Sequence, residues 1–92
     1  MDAHRGTVIL LLDDGERPAA AGDLCKTDSG SWGGSLIFPV EARTPQLLNL
    51  TEGRLTIHGR EGSFVRPDTS DWVNSPTGQF RIRIEGSGDA PF

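Results

Sequence analysis

The chain has 92 residues, of which 35% are hydrophobic and 24% charged, and it contains 12 glycines and 6 prolines. It is too apolar for a disordered chain and too rich in turn-forming residues for a helix bundle. Its net charge of -4 argues against binding to nucleic acid or to anionic membranes, because attraction to phosphate depends on the charge of the whole surface. We therefore expect one small β-domain spanning residues 1–92.

The cellular compartment is predicted from cysteine usage and from the first residues. Cys25 is the single cysteine, so an internal disulfide is excluded and nothing indicates an oxidising compartment. The start of the chain is not typical of a signal peptide, and the apolar run 8–12 is far too short to span a bilayer. These features predict a cytoplasmic protein.

Three strands are predicted in the first forty residues. The apolar run 7–12 precedes an Asp-Asp-Gly turn and predicts a strand buried on both faces. Segment 16–26 contains Pro18, which cannot donate to a ladder, so we expect a short, irregular edge strand there. Segment 32–38 predicts a third strand, in which the Gly-Gly pair at 33–34 indicates a bulge or a close backbone approach.

The segment 44–50 departs from the β pattern. Thr44 can cap a helix, Pro45 suits the first helical position, and the leucines that follow can point inward over one or two turns. A short helix or helical turn near residues 44–51 is predicted, with a strand as the alternative.

A hairpin is predicted after this segment. Strict alternation over 54–58 indicates a fourth strand, and 63–66 returns as the fifth. The connection 59–62 offers Gly59 or Gly62 for the positive φ that a hairpin turn requires.

The clearest pattern in the chain is the segment 78–86. Three apolar side chains alternate there with three charged ones, in the order Phe80, Arg81, Ile82, Arg83, Ile84, Glu85. A period of two places all the apolar groups on one face of a strand, whereas a helix would scatter them. This is the sixth predicted strand, and it indicates one buried face and one solvated face.

Six short strands predict an all-β fold. An open sheet of this size would leave exposed edges, so a small antiparallel barrel is favoured, although two packed sheets forming a sandwich fit the same pattern. Residues 87–92 are expected to form a C-terminal tail, in which Phe92 docks on the body of the domain.

The longest polar segment is the loop 67–76. A hairpin needs only about two to five residues, so this loop is longer than folding requires, and such excursions often carry function. Trp72 lies in it, and Trp32 lies beside another turn; both have Ser, Asp or Gly neighbours rather than apolar ones. Each is a candidate anchor for a protein partner or a stacking platform for a sugar, and the alternative is a lid over the core.

Arginines cluster in the C-terminal half. If the predicted hairpin pairs with the sixth strand, five of them can share one outer face: Arg54, Arg60, Arg66, Arg81 and Arg83. Arginine makes planar, bidentate contacts to carboxylate or phosphate, so this face is a candidate binding strip. The alternative is an ordinary solvated face, because acidic residues belong to the same strands.

Catalytic, metal and cofactor sites are not predicted. The acidic turns at 13–15 and 68–71 do not supply the ligand set of a calcium loop, and turn chemistry explains both. His4 and His58 lie in unrelated places without zinc spacing, and no base accompanies Cys25 at a recognisable spacing. We therefore expect a protein that is not an enzyme and has neither metal nor cofactor.

The function predicted from the sequence is a binding or assembly module. It would recognise a protein partner, or a second copy of itself, through the 67–76 loop with Trp72 and through Trp32, Arg66, Arg81 and Arg83. The alternative is a barrel that binds a small molecule or carbohydrate at a site rimmed by Trp32 and Trp72. A weaker hypothesis is an enzyme built around Cys25.

Overall fold

The computed structural model describes residues 2–42 and 44–92, and six strands make up most of them. The strands are β1 (Asp2–Leu11), β2 (Ala19–Lys26), β3 (Trp32–Pro39), β4 (Glu52–Ile57), β5 (Arg60–Val65) and β6 (Gln79–Ser87). The helical elements of the described residues are α1 (Pro45–Leu48) and the 3-10 helices η1 (Val40–Ala42) and η2 (Asp71–Asn74).

The six strands close into a barrel in the order β1-β2-β3-β6-β5-β4, and every neighbouring pair is antiparallel. The pairing of Ile9 with Thr56 and of Leu11 with Arg54 closes the barrel between β1 and β4. The predicted all-β fold of six antiparallel strands is confirmed, and the arrangement is the barrel rather than the sandwich.

Strand β6 has the two faces that its sequence predicts. Phe80, Ile82 and Ile84 point inward and are at most 3% exposed, whereas Arg83 and Glu85 lie on the outside. Inward side chains from all six strands and from α1 fill the barrel, so its interior is a packed core. The buried hydrophobic residues are Val8, Leu10, Ala20, Leu24, Trp32, Leu36, Phe38, Leu47, Leu55, Ile57, Phe64, Phe80, Ile82 and Ile84.

Strand β1 is longer and less buried than predicted. It begins at Asp2, and from Ala3 onward only Val8 and Leu10 are fully buried. Ile9 and Leu11 lie on the outer face and are partly buried, because one face of each barrel strand points to solvent. The expectation of burial on both faces is therefore wrong.

Strand β2 is a regular interior strand, and the prediction of an irregular edge strand is wrong. It pairs with β1 on one side and β3 on the other, and Pro18 precedes it. The Pro18 carbonyl accepts a hydrogen bond from the Leu10 amide at 2.9 Å. Small inward residues leave room for β1: a Cβ at Gly22 would lie 2.5 Å from Cγ2 of Val8.

The glycines at the start of β3 allow the backbones of neighbouring strands to approach closely. A Cβ on Gly34 would lie 2.1 Å from the carbonyl oxygen of Asp23, and one on Gly33 would lie 2.6 Å from that of Ile84. Gly34 also has a φ of 147°. The close backbone approach that the Gly-Gly pair predicted is therefore present.

Helix α1 lies where the Thr-Pro signal predicted a helix. The Thr44 hydroxyl accepts a hydrogen bond from the Leu47 amide at 3.3 Å, and Pro45 occupies the first turn. Leu47 is buried in the core. The helix is confirmed and the alternative strand is excluded.

The turn between β4 and β5 has only two residues, His58 and Gly59, with φ values of 52° and 81°. Two positive φ angles suit the twist of a tight hairpin. This turn is shorter than the predicted connection 59–62. Gly62 lies inside β5, where a Cβ would be 2.8 Å from Cδ of Pro91.

The connections lie at two ends of the barrel. We call the end with turns 27–31 and 58–59 and segment 88–92 the tail end, and the end with the 12–18 turn, α1 and the 67–76 loop the helix end. At the tail end the Lys26 ammonium donates a hydrogen bond to the Phe92 carbonyl at 3.0 Å. None of the helices in the described part of the chain is long and apolar enough to cross a membrane.

Candidate functional site

The 67–76 loop covers a gap in the barrel wall at the helix end. Strand β5 pairs with β6 only along Ser63–Val65, opposite Glu85–Ser87. The preceding part of β6 therefore has no β5 partner on that side, and η2 packs against β6 there.

Two side chains of the loop take the place of the absent strand. The Asp71 carboxylate accepts a hydrogen bond from the Arg83 amide at 2.6 Å, and the Ser75 hydroxyl accepts one from the Arg81 amide at 2.9 Å. Backbone groups of a strand must find partners, and these two find them in side chains. The loop is therefore part of the barrel wall, and the expectation that folding does not require its length is wrong.

A buried arginine holds the loop in place. Arg66 is 3% exposed, and its Nε donates to both carboxylate oxygens of Asp71, at 3.1 and 3.0 Å. Its Nη2 also donates to this carboxylate and to the Thr69 carbonyl. Its Nη1 donates to three carbonyls at 2.7, 3.0 and 3.1 Å, those of Leu47, Leu48 and Leu50. Arg66 thus joins α1 to the loop.

The expectation that Arg66 lies on the outer face with the other arginines is wrong. Along β5, Gly62 and Phe64 are buried, and Arg66 continues this alternation one residue beyond the end of the strand. A buried guanidinium is tolerated only when its charge and its donors are satisfied. The inward register of Arg66 was visible in the sequence, whereas its pairing with Asp71 was not.

Arg81 and Arg83 lie on the outer face of β6 beside the loop. The side chain of Arg83 is exposed, and that of Arg81 is partly buried. Nη2 of Arg81 donates to the Asn74 carbonyl at 3.3 Å, while its Nε is buried and has no acceptor among the described residues. The two predicted arginines therefore flank η2 as neighbours on one strand.

The other members of the predicted arginine strip are Arg54 and Arg60, exposed residues of β4 and β5. Arg54 pairs with Glu61 at 2.8 Å, and both side chains are largely exposed. Such a pair contributes little to stability and keeps the arginine engaged. The outer-face arginines next to the loop are Arg81 and Arg83.

Trp72 and Val73 are neighbours in η2 but differ in exposure. Trp72 is partly buried and packs against the core, whereas Val73 is 63% exposed. The outermost large apolar group of the loop is therefore Val73. The sequence favoured Trp72 because of its polar neighbours, whereas the 3-10 turn that directs consecutive side chains differently was not predicted.

Trp32 is a core residue at the tail end, as the alternative of a lid over the core predicted, and its place at an open rim is wrong. It is 5% exposed, and its Nε1 donates to the Gly88 carbonyl at 3.2 Å. The Phe92 ring lies edge-on at 6.2 Å between centroids. Gly86 makes room for the indole, because a Cβ there would lie 2.0 Å from Cε2 of Trp32.

Three residues were considered for catalysis: Cys25, His4 and His58. Cys25 is exposed and unbonded on the outer face of β2, opposite Ala3. His4 and His58 lie together at the tail end, with ring centroids 5.9 Å apart, although their sequence positions suggested no relation. Among residues 2–42 and 44–92, no three His, Cys, Asp or Glu side chains are grouped to hold a metal.

Asp68 fixes the turn that begins the loop, and its pKa is lowered. The Ser70 hydroxyl donates to its Oδ1 at 2.6 Å and the Ser70 amide at 2.9 Å, and the nearby Arg66 charge acts in the same direction. A lowered folded-state pKa stabilises the fold fully above the unfolded-state pKa, and this contribution is lost as pH falls through the folded-state value.

We expect an NMR pH titration of the Asp68 carboxyl carbon to give a pKa below the ordinary aspartate value. Ser70→Ala removes the largest cause and should raise this pKa. Thr69→Ala is the control, because the Thr69 side chain does not contact Asp68 in any hydrogen bond of the structure. An unchanged pKa in Ser70→Ala would contradict the assignment.

The candidate interface therefore consists of a fixed loop with Val73 at its surface and Arg81 and Arg83 beside it. The chemistry that it offers is apolar contact together with cationic hydrogen-bond donors. Comparison of the chain with protein-family models, with curated proteins and with solved structures gave no match.

Proposed function

We propose that the protein is a non-enzymatic binding module that recognises a protein partner through the 67–76 loop, Arg81 and Arg83. The observation that carries the proposal is the 63% exposure of Val73 on a loop that Arg66 and Asp71 hold rigidly. A partner that covers this side chain gains the free energy of removing its apolar surface from water.

The rigidity of the loop supports a binding role. Binding to a mobile loop costs conformational entropy, and a loop that is already fixed avoids much of this cost. The loop is fixed by hydrogen bonds at Asp68, Asp71 and Ser75, and its only large exposed apolar side chain is Val73. Val73 can thus enter a partner's pocket without reordering the backbone.

The arginines supply the polar part of the proposed interface. Arginine is enriched at binding hot spots because its planar group pairs with carboxylates and stacks on aromatic rings. Arg83 has an exposed side chain and its backbone amide is held by Asp71. A partner surface with an apolar pocket and nearby carboxylates fits this arrangement.

Arg66 enters the proposal as a supporting residue, since it is buried and all three of its nitrogens have acceptors. The alternative site rimmed by Trp32 and Trp72 is not carried further. Trp32 is enclosed at the tail end, and the barrel interior between the two ends is filled by side chains.

Val73→Ser is expected to weaken partner binding about tenfold without changing stability, because it removes roughly the transfer energy of one valine side chain. The matched control is Val65→Ser, since Val65 is also exposed but lies on the outer face of β5. A denaturant melt should show the same midpoint for both variants and for the unaltered protein.

The wild-type protein, Val73→Ser and Val65→Ser are each immobilised, and the partner proteins that they capture from an extract of cells that make the protein are compared. The captured partner is then titrated against each of the three. Sedimentation of the purified protein tests whether the partner is a second copy. A partner lost only from Val73→Ser supports the proposal. Equal capture by the two variants, or no capture and no self-association, would overturn it.

A further inference from the structure

Two open depressions adjoin at the helix end, and neither lining includes a residue of the 67–76 loop. Their volumes are about 520 and 380 Å³, and their linings share Leu12 and Gln46. The larger lies between the end of β1 and the start of β4, and the smaller lies beside the turn 13–18. We call the two together the Leu12 groove.

Leucine side chains lie among polar residues in the lining of the Leu12 groove, and the backbone at Leu12 is fixed. Leu12 and Leu50 are partly buried and Leu47 is fully buried. The backbone of Leu12 is held on both sides, since its amide donates to the Glu16 carbonyl at 3.1 Å and its carbonyl accepts from the Gly15 amide at 3.1 Å. The position of Leu12 is therefore set before any ligand binds, which lowers the cost of binding.

The rim of the groove is acidic. Four exposed carboxylates line it, and none forms an ion pair with a described residue: Asp13, Asp14, Glu16 and Glu52. No lysine or arginine belongs to either lining in the described part of the chain. Four of the eight acidic residues in 1–52 line this groove, and of the four basic residues in 1–52 the exposed Arg17 lies next to the lining, between Glu16 and Pro18.

We propose that the Leu12 groove binds a peptide segment of a partner protein in which basic residues flank an apolar side chain. The apolar side chain covers Leu12 and supplies most of the affinity, because removal of apolar area from water is the main favourable term. The carboxylates act over about 8 Å at physiological salt and select a basic segment. This site is separate from the 67–76 loop and does not depend on the function proposed for that loop.

The test uses synthetic hexapeptides and the intact ¹⁵N-labelled protein. One peptide alternates lysine with leucine, a second alternates lysine with serine, and a third alternates glutamate with leucine. We expect the lysine–leucine peptide to cause saturable shifts of the Leu12, Gln46 and Leu50 amides, and to bind about tenfold more tightly than the lysine–serine peptide, which lacks apolar contact.

The second part of the test reverses the charge of residues on the rim. In the double variant Asp13→Lys, Glu52→Lys, both changes fall on exposed side chains, so the fold is retained. This variant should prefer the glutamate–leucine peptide. The matched control is Glu85→Lys, Asp89→Lys, which changes the net charge equally on exposed positions that belong to neither lining, and it should keep the original preference.

Three results would overturn the proposal. The first is equal affinity for the lysine–leucine and lysine–serine peptides. The second is a set of amide chemical-shift changes that is spread over the acidic surface or centred on η2. The third is a change of peptide preference in the control variant equal to that in the rim variant. The first two would indicate general electrostatic attraction or binding elsewhere, and the third would indicate that only net charge matters.

Discussion

Arg66→Met is expected to lower the free energy of unfolding by about 3–5 kcal/mol, the largest effect expected for a polar residue of this chain. The substitution leaves the Asp71 carboxylate, whose side chain is 3% exposed, without its cation. It also removes the donors to three carbonyls of the segment around α1. An uncompensated buried charge and unpaired carbonyls each carry a desolvation cost.

Denaturant unfolding of three variants measures this effect. Arg66→Lys keeps the charge but not the planar set of donors, so we expect a loss smaller than that of Arg66→Met. Arg54→Met is the matched control, because Arg54 forms an exposed ion pair with Glu61, and its loss should stay within about 1 kcal/mol. Equal losses in Arg66→Met and Arg54→Met would contradict the buried role.

Ile82→Asp is expected to unfold the protein. Ile82 is fully buried, opposite Leu36 of β3, and it has core residues on both sides along β6. Burying a carboxylate there without a partner costs several kcal/mol, which is comparable to the whole stability of a domain of this size. Circular dichroism and a thermal melt should show loss of the cooperative transition.

The control for this variant is its neighbour, Arg83→Ser. The Arg83 side chain is exposed, and the Asp71 carboxylate contacts its backbone amide, which the substitution retains. A stability change of a few tenths of a kcal/mol is expected. Two variants with the same melting temperature would contradict the inside-outside alternation of β6.

The fold class could be predicted because alternation of apolar and polar side chains with a period of two is typical of a strand with one solvated face. Strand β6 and the hairpin β4-β5 have that pattern, and α1 has a Thr-Pro start. Strand β2 was misjudged because Pro18 was taken as part of the strand, although it precedes it. The inward positions of β2 are Ala20, Gly22 and Leu24. Their fit against β1 is a tertiary property that no local pattern contains.

The candidate interface could be predicted only in outline. The 67–76 loop was identified from its length, and Arg81 and Arg83 from their charge. The loop packs against β6, the strand that contains both arginines. The roles within the loop were not predicted, because they depend on the gap that β5 leaves next to β6. That gap is why Asp71 and Arg66 are buried, and η2 is why Val73 rather than Trp72 is most exposed.

The side-chain acceptors that Asp71 and Ser75 offer to β6 also have a consequence for association between protein molecules. If the loop opens, the amides of Arg81 and Arg83 become part of an unpaired strand edge, which is a template on which a strand of another chain can add. Damage to the loop therefore carries a risk of aggregation as well as a loss of stability. While the loop is closed, these two amides are paired and are not available for such strand addition.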